Sequence, residues 1–329
     1  MHIIAKMATN ILQITKQFNT QRKCVSYMRK IRWGKTIKCP FCESKKVRIV
    51  NSERGRYFCK NCKEQFSVFT DTIFEGTLMP LPEWFASIAL VLNAKSGMAA
   101  KEVQRNIGMT YKTAFYACMR IRIGMLMPVT KLHGIIEMDE AYFGGKARKL
   151  RKNISDNQPS ISDKGIKLKR GRGTNRISVA AMVQRKGNVH SKVIEKLTKR
   201  NLLAMLKHYA SNENSILVTD GFRSYKALEE YIERLEIIHK KQFSKGIVHI
   251  NTVEGFWSYV KNGIKGSYKA ISKKYLPFYL VEYEWKYNHK TFRGNEFEAF
   301  LKNALHHPKE LYHWKATSTE QVKQVAYGK

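Results

Sequence analysis

From the N-terminus, the apolar residues first fall in a helical rhythm, and Ile11–Arg29 is expected to form one amphipathic helix. Strand-like runs follow at Lys46–Asn51 and Arg56–Cys59, separated by a turn at Glu53–Gly55, and Phe66–Phe69 reads as a closing strand. Pro80 and Pro82 mark a boundary. Beyond it Trp84, Ile88, Val91 and Leu92 share one face of a helix that Gly97 breaks. Ala100–Ile107 reads as a short helix, Gly108-Met109-Thr110 as a tight turn, and Tyr111–Ile123 as a longer helix. Helix, short glycine turn, helix is the signature of a helix-turn-helix, and it also suits an ordinary helical linker. Under the first reading Thr110 or Thr113 caps the second helix or contacts phosphate. Tyr111, Lys112 and Tyr116 are then candidates for a DNA-facing surface, with charge added by Lys101 and Arg105.

From about residue 131 the period changes. Ile135–Glu140 reads as a buried strand ending in acids, Ile177–Val183 as a second strand and Val189–Glu195 as a third. A helix at Thr198–Ala210, a strand at Ile216–Asp220, a helical stretch at Tyr225–Tyr231, a short strand at Leu235–His239 and a helix at Asn251–Lys261 complete the series. Three strands, then helix, strand, helix, strand, helix is the element order of an RNase H-like domain. The expected fold is therefore multidomain α/β: a small ribbon, which the cysteine pairs Cys39/Cys42 and Cys59/Cys62 make a zinc ribbon, plus a helix-turn-helix region, followed by an RNase H-like mixed-sheet domain. The expected boundaries are 1–78 for the N-terminal helix and ribbon, 79–130 for the helix-turn-helix region and 131–310 for the mixed-sheet domain, with a basic tail at 311–329. The stretch 144–176 is rich in Gly, Ser and Lys/Arg and reads as a basic insert, either a DNA contact or a solvated loop.

Four cysteines explain the first segment. Cys39/Cys42 and Cys59/Cys62 form a C-x2-C…C-x2-C pattern, whose turns and hairpin bring four thiolates to one tetrahedral Zn2+. A segment this small holds little core, so the metal should be part of its folding. Cys24 and Cys118 are left as free thiols, which fits a reducing compartment and no disulfide framework. No apolar run is long enough to argue for a membrane span, and the first residues lack the pattern of a secretory signal; a cytoplasmic, nucleoid-associated location is expected.

Charge identifies the partner. Lys+Arg number 60 against 26 Asp+Glu, a formal net charge of +34 spread along the whole chain. Such an excess predicts salt-dependent binding to a phosphate backbone. A generic basic protein or a ribosome-associated one would share the charge, but not the carboxylates that follow.

Asp139 and Asp220 each end an apolar strand, and in this topology the first and fourth strands are neighbours. Two carboxylates forced together repel, and a divalent cation removes that cost. Oxygen-only ligands select Mg2+ or Mn2+, and a metal pair stabilises both the attacking and the leaving oxygen of phosphoryl transfer. A third ligand is expected from the helix beginning at residue 251, where Asn251 and Glu254 share a face and Lys261 lies two turns further on, able to hold a phosphate. Each acid taken singly could equally be a cap or a surface charge. His249 reads as structural or as a DNA contact rather than as a base.

The motifs Glu137-Met138-Asp139-Glu140 running on to Gly144-Gly145-Lys146, Val218-Thr219-Asp220-Gly221 with Tyr225, His249-Ile250-Asn251 with Glu254-Gly255-Phe256-Trp257 and Lys261, and Tyr279 to Asn288 through Glu282 together resemble prokaryotic insertion-sequence transposases related to the Merlin group. The resemblance spans Cys39 to about Asn288. It implies a DDE-type catalytic domain behind a zinc ribbon, with Asp139 and Asp220 as the first two metal ligands. The third position is Asn or Glu in that family, followed by Lys. Here Glu254 is preferred because a carboxylate binds a second Mg2+ better than an amide, with Asn251 as the alternative, either as the ligand itself or as a residue supporting it. Glu282 could face the same site or pair with Lys286 one turn on. The expected function is that of a DNA transposase, which binds terminal inverted repeats, hydrolyses a phosphodiester and transfers the strand, with double-stranded DNA ends and target as partners and a homodimer or larger assembly at work. Two other readings stay open: a DNA-binding regulator without catalysis, and an RNase H-like structure-specific nuclease.

Overall fold

The computed structural model describes residues 10–144, 176–237, 249–290 and 295–306. The basic insert, apart from its two end residues, and the C-terminal tail lie outside them. The expected single N-terminal helix is two: α1 (Ile11–Gln17) and α2 (Gln21–Trp33). The break has local causes. Phe18 turns into the core against Tyr27 and Phe85, and Thr20 caps α2 by accepting the Lys23 N–H at 3.4 Å.

The strands β1 (Val47–Asn51), β2 (Arg56–Cys59) and β3 (Gln65–Ser67) form an antiparallel sheet in that order. Tyr57 and Phe66 are paired across β2 and β3 and meet Trp33 of α2, so the ribbon packs on the N-terminal helices. The helices α3 (Leu81–Asn93), α4 (Ala100–Ile107) and α5 (Tyr111–Gly124) follow. The turn between α4 and α5 has the expected chemistry: Gly108 is left-handed at φ 83°, and Thr110 accepts the Thr113 N–H at 3.3 Å. From Ala117 to Gly124 the second helix is buried, which leaves its first turns, with Tyr111 and Lys112, to face outward.

The second sheet contains β4 (Leu132–Phe143), β5 (Ile177–Gln184), β6 (Val189–Val193), β7 (Ala210–Asp220) and β8 (Glu233–Ile237), ordered β6-β5-β4-β7-β8. The first three are antiparallel; β7 runs parallel to β4, and β8 to β7. This is the RNase H-like arrangement expected from element order. One face packs on α7 (Asn251–Gly263) and α8 (Leu276–Asn288) through Ala141, Val179, Val218, Val253, Phe256 and Leu280. The other packs on α6 (Lys199–Tyr209) and a 3-10 segment, Arg223–Glu230, through Ile136, Met138, Met182, Leu202 and Tyr225.

Two details depart from expectation. β4 does not end at its acids: Ala141 and Phe143 continue the alternation and pair with Val179 and Ile177 of β5, so Asp139 lies within the strand. A further helix, α9 (Glu296–Leu305), packs through Phe297, Phe300, Leu301 and Ala304 into the core shared by α2, α3 and α5.

The two halves of the chain lock together at the loop after α3. Tyr259, Tyr283 and Lys286 donate to the carbonyls of Lys95, Ser96 and Ala94 at 2.7, 3.1 and 2.6 Å. Gly97 sits here at φ 91°, and a Cβ on it would fall 2.2 Å from the Tyr268 hydroxyl. It is therefore required by close packing as well as by the turn.

Candidate active site and zinc site

The ribbon presents its four cysteines from two matching turns. In the first, Glu43 donates to the Cys39 carbonyl at 2.9 Å and Cys39 to the Ser44 carbonyl at 3.0 Å. In the second, Lys63 donates to Cys59 at 3.0 Å and Cys59 to Glu64 at 2.9 Å. Both turns close with a left-handed residue, Glu43 at φ 55° and Lys63 at φ 62°. The sulfurs converge: Cys39 and Cys62 are 3.6 Å apart, as are Cys42 and Cys59, and all four lie within 4.8 Å of one another. A tetrahedron with Zn–S bonds of about 2.3 Å has edges near these separations, so the donor set fits zinc. Cys24 and Cys118 lie elsewhere, fully buried, and burial pushes their thiols up to about 12 and about 11.

The acids come together through register. In the parallel β4–β7 ladder Met138 pairs with Thr219, which brings Asp139 and Asp220 side by side one residue later. Alternation sends both toward the face that carries α7, together with Ala141 and Val218. Burial, then the neighbouring carboxylates of Glu140, Asp220 and Glu254, push the Asp139 carboxyl up to about 7. Glu140 points to the opposite face, where it accepts from the buried Tyr225 hydroxyl at 2.6 Å. Asp220 accepts the Phe222 N–H at 3.0 Å, which fixes the turn after β7.

Asn251 and Glu254 open α7, both exposed, and Ser258, Lys261 and Lys265 continue the same exposed stripe at helical spacing. Among the described residues only the four cysteines form a group of three or more possible metal ligands with all donor atoms within 4.8 Å, so the oxygens of Asp139, Asp220 and Glu254 do not all lie within that distance of one another. Glu282 lies apart from them in its bonding: Oε2 accepts from Arg122 at 2.8 Å and Oε1 from Lys286 at 2.6 Å.

Residues 131–288 match the family model of the ISXO2-like transposase domain, and residues 19–65 match that of the transposase zinc-ribbon domain. The chain belongs to the insertion-sequence transposases with an N-terminal zinc ribbon. A relative in Halobacterium salinarum, described as an uncharacterized protein in transposable element ISH50, is 28% identical over 300 residues, covering 88% of this chain and 97% of its own. Among solved structures, the pre-cleavage Mos1 transpososome aligns with 66% of this chain and 78% of that one, at 13% identity and a TM-score of 0.26, too distant to carry weight.

Within this transposase the sequence reading overlooked one group beside the acids. Glu137, with no exposed surface, stands two residues before Asp139 and accepts from Arg185 Nε at 2.5 Å. It also accepts from the backbone N–H groups of Thr252 and Val253 at 2.8 and 3.0 Å and from the Thr252 hydroxyl at 2.9 Å. Arg185 in turn donates to the His249 carbonyl at 2.7 Å, which gives His249 a structural place through its backbone. The signal available in sequence was a glutamate between the apolar Ile135-Ile136 and Met138 of a buried strand, where an unpaired charge is too costly to keep.

Proposed function

We propose that this chain is a DDE-type DNA transposase that cuts at the ends of its element and joins the released end to target DNA. Asp139, Asp220 and Glu254 would hold Mg2+ or Mn2+, with Asn251 beside Glu254. The observation that carries the reading is the parallel register that sets Asp139 next to Asp220 on the face covered by α7, in a chain of the transposase family. The donor set is oxygen-only and acidic, and it suits a hard divalent cation. Bound divalent ions would supply activation of water and neutralisation of charge at phosphorus.

The chain's own residues perform the rest. Lys261 and Lys265, on the stripe that leads from Glu254, would hold a DNA phosphate against the acids. The zinc ribbon and the exposed first turns of α5 would bind the terminal repeats, and the net charge of +34 supplies the sequence-independent part of that affinity. Residues 1–78 and 79–130 would thus form the DNA-reading part and residues 131–310 the catalytic part. Two element ends must be cut and joined together, so a homodimer or larger assembly on DNA is part of the proposal.

The test is metal-dependent nicking of DNA carrying the element's own ends, followed by joining of a precut end to a plasmid. Asp139→Asn and Asp220→Asn should abolish nicking while DNA binding persists. Nicking that survives either change refutes the site. Nicking without joining would mark a structure-specific nuclease, and binding without either reaction a regulator.

A further inference from the structure

Helix α7 begins without a cap of its own. Its N-cap position is Ile250, which has no side-chain acceptor to offer. A helix leaves its first N–H groups unpaired, and a side-chain oxygen of the N-cap residue ordinarily takes the N–H of the second or third residue. Here Glu137 takes both, at Thr252 and Val253, from a strand 115 residues earlier.

The carboxylate suits the place in three ways. Its charge is favourable at the positive end of the helix. Both oxygens are acceptors, and each meets donors: Oε1 meets Arg185 and the Thr252 hydroxyl, and Oε2 the two backbone N–H groups. Arg185, anchored beside β4 by its own N–H to the Ile135 carbonyl at 3.0 Å, completes the clamp by reaching the His249 carbonyl on the chain entering α7. Glu137 of β4 thus holds the first turn of the helix, and Arg185, one residue past the end of β5, holds the chain that enters it.

We infer that Glu137 is a positioning residue that sets the distance between Asp139 on β4 and Glu254 on α7, with Arg185 as its counter-ion. The inference rests on the proposed metal-ligand role of Asp139 and Glu254. Glu137 and Asp139 lie two residues apart on one strand, and Val253 and Glu254 are consecutive on the helix, so the clamp joins the carriers of both ligands by the shortest route. Gln cannot replace Glu here. An amide offers one acceptor oxygen, and its NH2 would face either the guanidinium or the backbone N–H groups, donor against donor.

The experiment uses the full chain. Mn2+ binding to the free protein is titrated by electron paramagnetic resonance, and the Mn2+ concentration for half-maximal nicking is measured with end DNA. Glu137→Gln should weaken Mn2+ binding and raise the half-maximal concentration by about 10–100-fold, with the KM for DNA unchanged and the Thr252 and Val253 amides exchanging faster. A general loss of folded protein would lower the amplitude of both curves without moving their midpoints. Thr252→Val removes one donor and leaves the carboxylate and both backbone bonds, so it should shift both midpoints the same way by less. It carries the test alone if Glu137→Gln does not fold. Unshifted midpoints, with Asp139→Asn inactive, overturn the inference and leave the proposed site standing; nicking by Asp139→Asn overturns both.

Discussion

Arg122 and Glu282 form an ion pair of 2.8 Å with both side chains buried, Arg122 on α5 and Glu282 on α8 beside the mixed sheet. The carboxylate is shared. Lys286 binds its other oxygen at 2.6 Å, the Tyr268 hydroxyl donates at 2.9 Å, and the guanidinium lies 3.9 Å from the Tyr279 ring centroid. One negative charge therefore holds two buried cations between two segments that the sequence treats as separate. Of the two readings open for Glu282, the pairing with Lys286 is the one observed, and Arg122 is an added partner.

Removing the shared charge should be costly, because it leaves two buried cations without compensation. Glu282→Gln is expected to destabilise the protein by about 3–5 kcal/mol in urea unfolding at pH 7. Burial opposes ionisation of Glu282, but Lys286 and Arg122 outweigh it and hold the carboxyl below its ordinary value. A lowered folded-state pKa means that the contribution is complete above the unfolded value and is lost as pH falls through the folded one. The gap between wild type and Glu282→Gln should accordingly narrow below about pH 4.3. A gap that stays constant down to pH 3 would show that the pair contributes nothing through charge.

Much of this architecture could be read from local pattern. The cysteine spacing defined two turns and a hairpin, and the apolar runs in Ile135–Glu140 and Ile216–Asp220 gave both strands and the neighbouring acids they carry, though not the face on which each acid lies. What pattern could not supply were pairings between distant polar groups. Glu137, Arg122 and Glu282 are each buried against partners far along the chain, and no periodicity carries that information. Helix α9 was legible in principle, since Phe297, Phe300, Leu301 and Ala304 fall at helical spacing. The break at Phe18 was set by a side chain finding the core of a neighbouring helix, which short-range propensity does not register.

The edge of the mixed sheet gives a second prediction. β6 is an outer strand, and α8 covers it with side chains one turn apart. Asn288 accepts the Val189 N–H at 2.8 Å and donates to its carbonyl at 3.2 Å, while Glu284 accepts the Ser191 N–H at 2.8 Å. The amide imitates a neighbouring strand. Asn288→Ala leaves both backbone groups of the buried Val189 unpaired and should cost about 1–3 kcal/mol, seen as a lower Tm. Asn288→Asp retains the acceptor and loses the donor, so its Tm should fall between the two.

Zinc should be structural for more than the ribbon. Cys59, Tyr57 and Phe66 belong to the same core as Val25 and Met28 of α2 and the buried part of α5. Elemental analysis should find one zinc per chain. Chelation or Cys59→Ser should then unfold residues 39–67 and also raise amide exchange in α2, because the Trp33 contacts to Tyr57 and Phe66 go with the ribbon. Unchanged exchange in α2 after zinc removal would mean that the helices hold their core alone.

Glu254 and Asn251 can be ranked as third ligand by experiment. Glu254 is close enough to raise the Asp139 carboxyl, as an approaching negative charge must. Asn251 lies three residues earlier, at the first position of the helix on the same exposed stripe, and brings no charge. If Glu254 binds metal directly, Glu254→Gln should abolish nicking in Mg2+, because the amide that replaces it neutralises nothing. Asn251→Ala should lower the rate by about 10-fold, the loss expected of a residue that orients a ligand rather than one that is a ligand. Asn251→Asp separates the roles further: if the position lies in direct contact with the ion, added charge should tighten Mn2+ binding, whereas if it only orients Glu254, the new carboxylate should weaken binding by disturbing its neighbour. The reverse ranking, with Glu254→Gln active and Asn251→Ala dead, would move the third ligand to Asn251 and leave Glu254 as the residue that supports it.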